Sequence, residues 1–139
     1  MSDAISIYFR GNPQLAGRNS PLTNRYVDRA RFPGEELVVV TAPLLRTRVT
    51  KGYADPFGQV LSEVNGAKVK NLAHLVELVR SCKDEYLTFR FAEDYSETLV
   101  FRRQAMLDAT EPLMSENGIP RRGSDDILAV WNGKAMTSH

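Results

Sequence analysis

QVLSEVNGAKVKNLAHLVELVRSC, residues 59–82, is the stretch that decides the fold. Val60, Glu63 and Val64 lead into Asn65-Gly66, a dipeptide that tolerates positive φ and so suits the two-residue turn between paired extended segments. The chain is therefore expected to reverse there. Val69 resumes the apolar pattern, and Asn71 stands where a side-chain oxygen accepts from the orphan amides of a helix start. Leu72, Leu75, Val76 and Val79 then fall at i, i+3, i+4 and i+7, one apolar stripe, with His74, Glu77, Arg80 and Ser81 on the other side. The reading is strand, tight turn, short strand and amphipathic helix.

Outward from this stretch, the ordered run Lys51-Gly52-Tyr53, Gly58-Gln59-Val60, Val64-Asn65-Gly66, Val69, Asn71-Leu72 and Leu75-Val76 resembles the PDZ-like domain that ends Do-like (HtrA or Deg) serine proteases. The form it most resembles is the terminal PDZ-like domain of the plant and bacterial proteins. The resemblance covers residues 16–119 and is densest over 36–101. It implies an α+β fold, a partly open antiparallel β-barrel or sandwich of about five strands capped by two or three helices. It also implies a non-catalytic module that holds a peptide or protein segment by strand addition, or that meets its own protease domain or other subunits.

Composition agrees with such a domain. A chain of 139 residues, 42% hydrophobic and 25% charged, fits one folded unit with extensions. Eighteen Lys and Arg against seventeen Asp and Glu leave a formal charge of +1, so no global field recruits nucleic acid or an anionic membrane. One cysteine excludes an intrachain disulfide, and with two histidines no zinc cluster is expected. No apolar run reaches the ~20 residues of a membrane span, and no signal-like start follows Met1, so a soluble, intracellular protein is expected. No cofactor is expected either, since the chain lacks a phosphate-cradling glycine loop and a dinucleotide fingerprint.

The segments before the central stretch carry the ligand question. Ile5, Ile7 and Phe9, closed by Gly11-Asn12-Pro13, read as a short edge strand able to pair with its own sheet or a second molecule. Residues 15–26 occupy the place where the resembled family keeps its carboxylate-binding loop. There Gly17-Arg18-Asn19-Ser20 retains a glycine but replaces apolar residues with polar ones, while Pro21-Leu22-Thr23 and Tyr26 still resemble the following turn and helix. The loop reads either as a carboxylate site of altered specificity, helped by Arg18, or as a solvent-exposed loop that binds nothing. Five arginines within the first 31 residues read as a solvated face, because no aromatic stacking pattern accompanies them. Leu37 to Thr41 forms a β-branched run suited to a strand buried on both sides, and Leu44 to Tyr53 reads as short strand or turn.

After the central stretch, Leu87, Phe89 and Phe91 alternate with Tyr86, Thr88 and Arg90, and Glu97 to Arg102 gives a partner run, together an antiparallel hairpin. Thr110, Glu111 and Pro112 look like a helix start, Asn117-Gly118 its end. Beyond Arg121 the chain is expected to be loose unless the patch Ile127, Leu128, Val130 and Trp131 docks. The divisions are residues 1–31, a strand and degenerate carboxylate loop; 32–103, the PDZ-like core; and 104–139, a helix and tail. The expected interior is Leu37, Val39, Val60, Val64, Val69, Leu72, Leu75, Val76, Val79, Leu87, Phe89, Leu99 and Phe101.

Serine catalysis needs a nucleophile, a histidine base and an orienting aspartate. His74 lies on the polar helix face and His139 is the last residue, so this chain is not expected to be an enzyme. The candidate site is then a peptide groove between Gly17, Arg18, Asn19, Ser20 and Leu22 on one side and Leu72, His74, Leu75, Leu78 and Val79 on the helix. His74 reads as a contact at the groove lip or as a plain solvent-facing side chain. The alternative function is structural: the groove is closed and the domain self-associates into a homo-oligomer through its edges and C-terminal helix.

Overall fold

The computed structural model describes residues 29–41 and 44–133. Their element order is β1 (Val38–Val39), β2 (Val60–Val64), β3 (Ala67–Lys68), α1 (Leu72–Ser81), β4 (Tyr86–Phe91), β5 (Leu99–Arg102), α2 (Arg103–Glu116) and α3 (Asp125–Trp131). The five strands form one antiparallel sheet in the order β1-β2-β4-β5, with β3 folded back on β2. This is the expected α+β architecture, an open sheet with three helices.

The Asn65-Gly66 turn is formed as the dipeptide requires. Asn65 has φ 49° and Gly66 φ 81°, both positive, the combination whose twist matches the flanking strands. Asn65 also ties three parts of the chain together. Its Oδ1 accepts from the Thr88 amide at 2.6 Å, and its Nδ2 faces the Tyr86 carbonyl at 3.1 Å, Asp84 Oδ2 at 3.2 Å and Cys82 Sγ at 3.3 Å. One side chain thus holds the β2–β3 turn against the α1–β4 connection.

The core is Leu61, Val64, Leu87, Phe91, Leu99 and Phe101, with Leu75, Leu78, Val79 and Cys82 of α1 packed onto it. Leu61 and Val64 are three apart yet face the same side, which strict period two forbids. The pairing explains it: Leu61 opposes Phe91 and Glu63 opposes Arg90, two steps on β2 against one on β4. That bulge resets the phase, and the Ser62 carbonyl released there accepts from the Val69 amide at 2.9 Å. Val60, before the bulge, is buried but outside that cluster.

Three expectations change. Leu72, placed in the interior, is 45% exposed, because the first turn of α1 overhangs the sheet. The run from Leu37 to Thr41 is a two-residue strand whose valines are only half-buried, not a strand covered on both faces. The helix expected from Thr110 begins instead at Arg103, directly out of β5, with the Arg103 amide donating to the Glu85 carbonyl at 2.8 Å. Pro112 therefore lies inside α2, where its missing N–H leaves one helical bond unmade. Thr110 caps nothing; its hydroxyl donates back to the Met106 carbonyl at 2.9 Å. Asn117-Gly118 does end the helix, with Gly118 at φ 63°.

The outer edge of β5 is covered by a side chain. The Tyr53 hydroxyl donates to the Val100 carbonyl at 2.8 Å and accepts from the Val100 amide at 3.3 Å. Its ring meets Phe101 edge-on at 5.5 Å, and the next amide, of Ala54, donates to Glu97 Oε2 at 2.7 Å. The loop before β2 is thereby clamped along β5.

Candidate functional site

Helix α1 is placed by its first residue. Asn71, in extended conformation, accepts from the His74 amide at 2.8 Å through Oδ1 and donates through Nδ2 to the Gly34 carbonyl at 3.0 Å. The Glu36 amide donates to the Lys70 carbonyl at 2.9 Å. These two bonds fix the start of α1 against the segment that runs into β1. A helix and an edge strand are thus held side by side, the arrangement that strand addition uses.

The residues of α1 then separate into faces. Leu75, Leu78 and Cys82 point into the sheet, Glu77 and Ser81 point to water, and Val76 and Val79 look toward α2 and α3. Leu72 stands at the exposed start. His74 is half-buried, and its Nδ1 accepts from the Lys70 amide at 3.2 Å, which leaves Nε2 to carry the proton in the neutral ring. Of the residues expected to line a groove, Leu72, His74, Leu75, Leu78 and Val79 share this helix but not one face: Leu75 and Leu78 are committed to the core. Gly17, Arg18, Asn19, Ser20 and Leu22, like the edge strand expected near Ile5, lie outside the described residues.

The feature that periodicity did not assign is α3. It packs along α1, with Val130 buried to 3% and Ile127, Leu128 and Trp131 toward the same helix. The apolar patch that was expected to be loose unless it docked does dock. Ser124 precedes the helix, and Asp125 and Asp126 occupy its first turn, where negative charge meets the helix dipole. The Asp126 carboxyl is held below its ordinary range by a hydrogen bond from the Ser124 hydroxyl and by the Ile127 amide. Gly133 closes the helix at φ 80°, and a Cβ there would fall 2.5 Å from Arg80 Nη2 of α1. A side chain there would have to displace the exposed tip of Arg80 and adopt a φ that favours glycine.

Charge on the described surface is dispersed. Arg102–Glu85 is an exposed pair, worth about 1 kcal/mol at most, and in Arg31–Glu35 and Arg90–Glu63 an exposed arginine meets a half-buried glutamate. A shallow hollow of about 770 Å3 beside Tyr53 carries Arg46, Arg48 and Lys51, and no ion pair engages them among the described residues. Among the described residues no three His, Cys, Asp or Glu side chains gather as a metal cage, and no helix is long and apolar enough to cross a membrane.

Comparison with known proteins agrees with this architecture. The family model described as "PDZ domain" matches residues 8–126. Protease Do-like 2, chloroplastic, of Arabidopsis thaliana is 36% identical over 110 residues, covering 79% of this chain and 18% of the relative. Putative protease Do-like 11, mitochondrial, of the same plant is 32% identical over 107 residues, 77% of this chain and 18% of the relative. Putative protease Do-like 12, mitochondrial, is 29% identical over 100 residues, 71% and 20% respectively. The chain therefore spans about a fifth of the length of these relatives.

Proposed function

This chain belongs to the PDZ domain family, and from that premise we propose that it is a non-catalytic regulatory module of a Do-like serine protease or a stand-alone relative of one. It takes an extended peptide or protein segment beside α1, with main-chain hydrogen bonds supplying affinity and side-chain contacts supplying choice. The observation that carries this reading is the bolting of the α1 start to the strand β1 segment through Asn71 and Glu36, with Leu72 left exposed beside it. Leu72 and His74 contact the partner, and residues 17–22 receive its carboxylate end. The partner is a peptide, the protease region of the same polypeptide, or another subunit. Catalysis, if a longer product has it, belongs to residues outside this domain. The names of the chloroplastic and mitochondrial relatives support an organellar address.

A second reading has its own support. Helix α3 is packed against α1, and this C-terminal helix together with the open edge of the sheet favours a domain that self-associates. Titration against peptides with free and amidated C termini, followed by backbone NMR, separates the two. Shifts over residues 18–22 and 72–79 that vanish on amidation support the peptide groove. Unmoved resonances, with line widths that grow with protein concentration, support self-association and refute the groove.

A further inference from the structure

Between α1, α2 and α3 lies a cavity of about 390 Å3, within the range of about 300–1,000 Å3 common for small-ligand sites. Its wall is apolar: Val76 and Val79 from α1, Met106 and Met114 from α2, Leu128 and Trp131 from α3. The one neutral polar side chain on it, Thr110, already donates its proton to the Met106 carbonyl. Thr110 therefore has no proton left to donate, and with one hydroxyl oxygen as the only neutral polar side-chain atom of the wall an occupant carrying several amide groups would lose most of their hydration uncompensated. An alkyl chain loses nothing of the kind.

The mouth has a different character. Arg121 and Arg122, in the connection from α2 to α3, border the cavity with side chains 54% and 39% exposed. They pair with Asp125 and Glu111, whose carboxylates are 91% and 69% exposed. Such exposed pairs are weak and exchange partners readily. Two guanidiniums at the rim of an apolar cavity complement an anionic head on an apolar tail. The space is open to solvent on one side and of the size of a medium-length alkyl chain, at about 30 Å3 per water-sized group. The two methionines can repack around a flexible chain.

We propose that this three-helix cavity is a binding site for a medium-chain carboxylate, its alkyl chain between Val76, Met106 and Trp131 and its carboxylate at Arg121 and Arg122. The site lies where Val76 and Val79 of α1 face α2 and α3 and does not depend on the peptide groove.

Trp131 is the only tryptophan of the chain and forms part of the wall, so its emission reports occupancy. The experiment titrates the full 139-residue chain with laurate, below its micelle concentration, and with dodecanol. A saturable change in Trp131 emission at one laurate per chain is expected, with dodecanol binding about tenfold more weakly because it lacks the charge-assisted contacts. The double variant Arg121→Gln, Arg122→Gln should weaken laurate by about tenfold and leave dodecanol unchanged. Val76→Phe should fill the cavity and abolish both; if it fails to fold by circular dichroism, the arginine variant still decides. No saturable change with laurate overturns the proposal, as does equal affinity in the arginine variant. A free-C-terminal apolar peptide that moves Trp131 where laurate does not also overturns it and assigns the cavity to a protein partner.

Discussion

Replacing Asn65 separates two effects that the Asn65-Gly66 turn combines. The first is backbone: at φ 49° a residue with an ordinary Cβ is strained by about 1–2 kcal/mol, a cost asparagine reduces and glycine avoids. The second is the side chain, which satisfies the Thr88 amide at 2.6 Å and faces the Tyr86 carbonyl and Asp84. Neutral hydrogen bonds contribute about 0.5–1.5 kcal/mol each, and Thr88 is only partly buried, so loss of the set costs about 1–2 kcal/mol. Asn65→Gly should therefore lose about 1–2 kcal/mol, the side-chain share alone. Asn65→Ala should lose about 2–4 kcal/mol, both shares together. Asn65→Asp keeps the acceptor for Thr88 but sets a second carboxylate against Asp84 Oδ2, now 3.2 Å from Nδ2. That repulsion raises the folded-state pKa of the new group, so the variant should be closest to the parent at low pH and lose stability as pH rises through the carboxylate range. Urea unfolding followed by far-UV circular dichroism measures all three. Equal losses for Ala and Gly would refute the backbone share, and an Asp variant insensitive to pH would refute the placement of Asp84.

Other consequences follow from the same contacts. Tyr53→Phe should cost about 1–2 kcal/mol by uncovering both polar groups of Val100, and hydrogen exchange should speed at Val100 while β4 stays protected. Gly133→Ala places a Cβ at φ 80°, a strain of about 1–2 kcal/mol, while the exposed tip of Arg80 moves aside, so hydrogen exchange should speed at the end of α3 with the sheet unchanged. The Asp126 carboxyl is depressed by Ser124 and the Ile127 amide, so its contribution to α3 is present above the unfolded carboxylate pKa and is lost as pH falls through the folded one. Asp126→Asn should therefore make α3 less sensitive to acid, read by Trp131 emission against pH; an unchanged acid profile would refute the Asp126 contribution.

Much of the fold was readable because its strongest signals are local. Asn65-Gly66 and Asn71 act within four residues of themselves, and their chemistry admits few alternatives. What failed depends on distant partners. No capping side chain marks the start of α2, because the chain passes straight from β5 and the Glu85 carbonyl takes the Arg103 amide. Thr110-Glu111-Pro112 has every mark of a helix start and sits mid-helix. Val60 is buried as expected, but the bulge on β2 adds Leu61 to the core beside it, and no residue type announces that. The apolar stripe of α1 was read as one face, yet the sheet takes Leu75 and Leu78, while Val76 looks to α2 and α3 and Leu72 to water. Periodicity shows that a side chain is apolar, not which neighbour covers it. Helix α3 is legible only as a patch, since docking depends on the surface that α1 and α2 present to it.

The hydroxyl of Tyr53 also bears on stoichiometry. A sheet open at both ends can accept a strand on each side, and each newcomer presents a fresh end, so growth need not stop. Here the β5 end is terminated at Val100, and among the described residues β1 is the other end of the strand order. The proposed strand addition is therefore left with the β1 end of the described order.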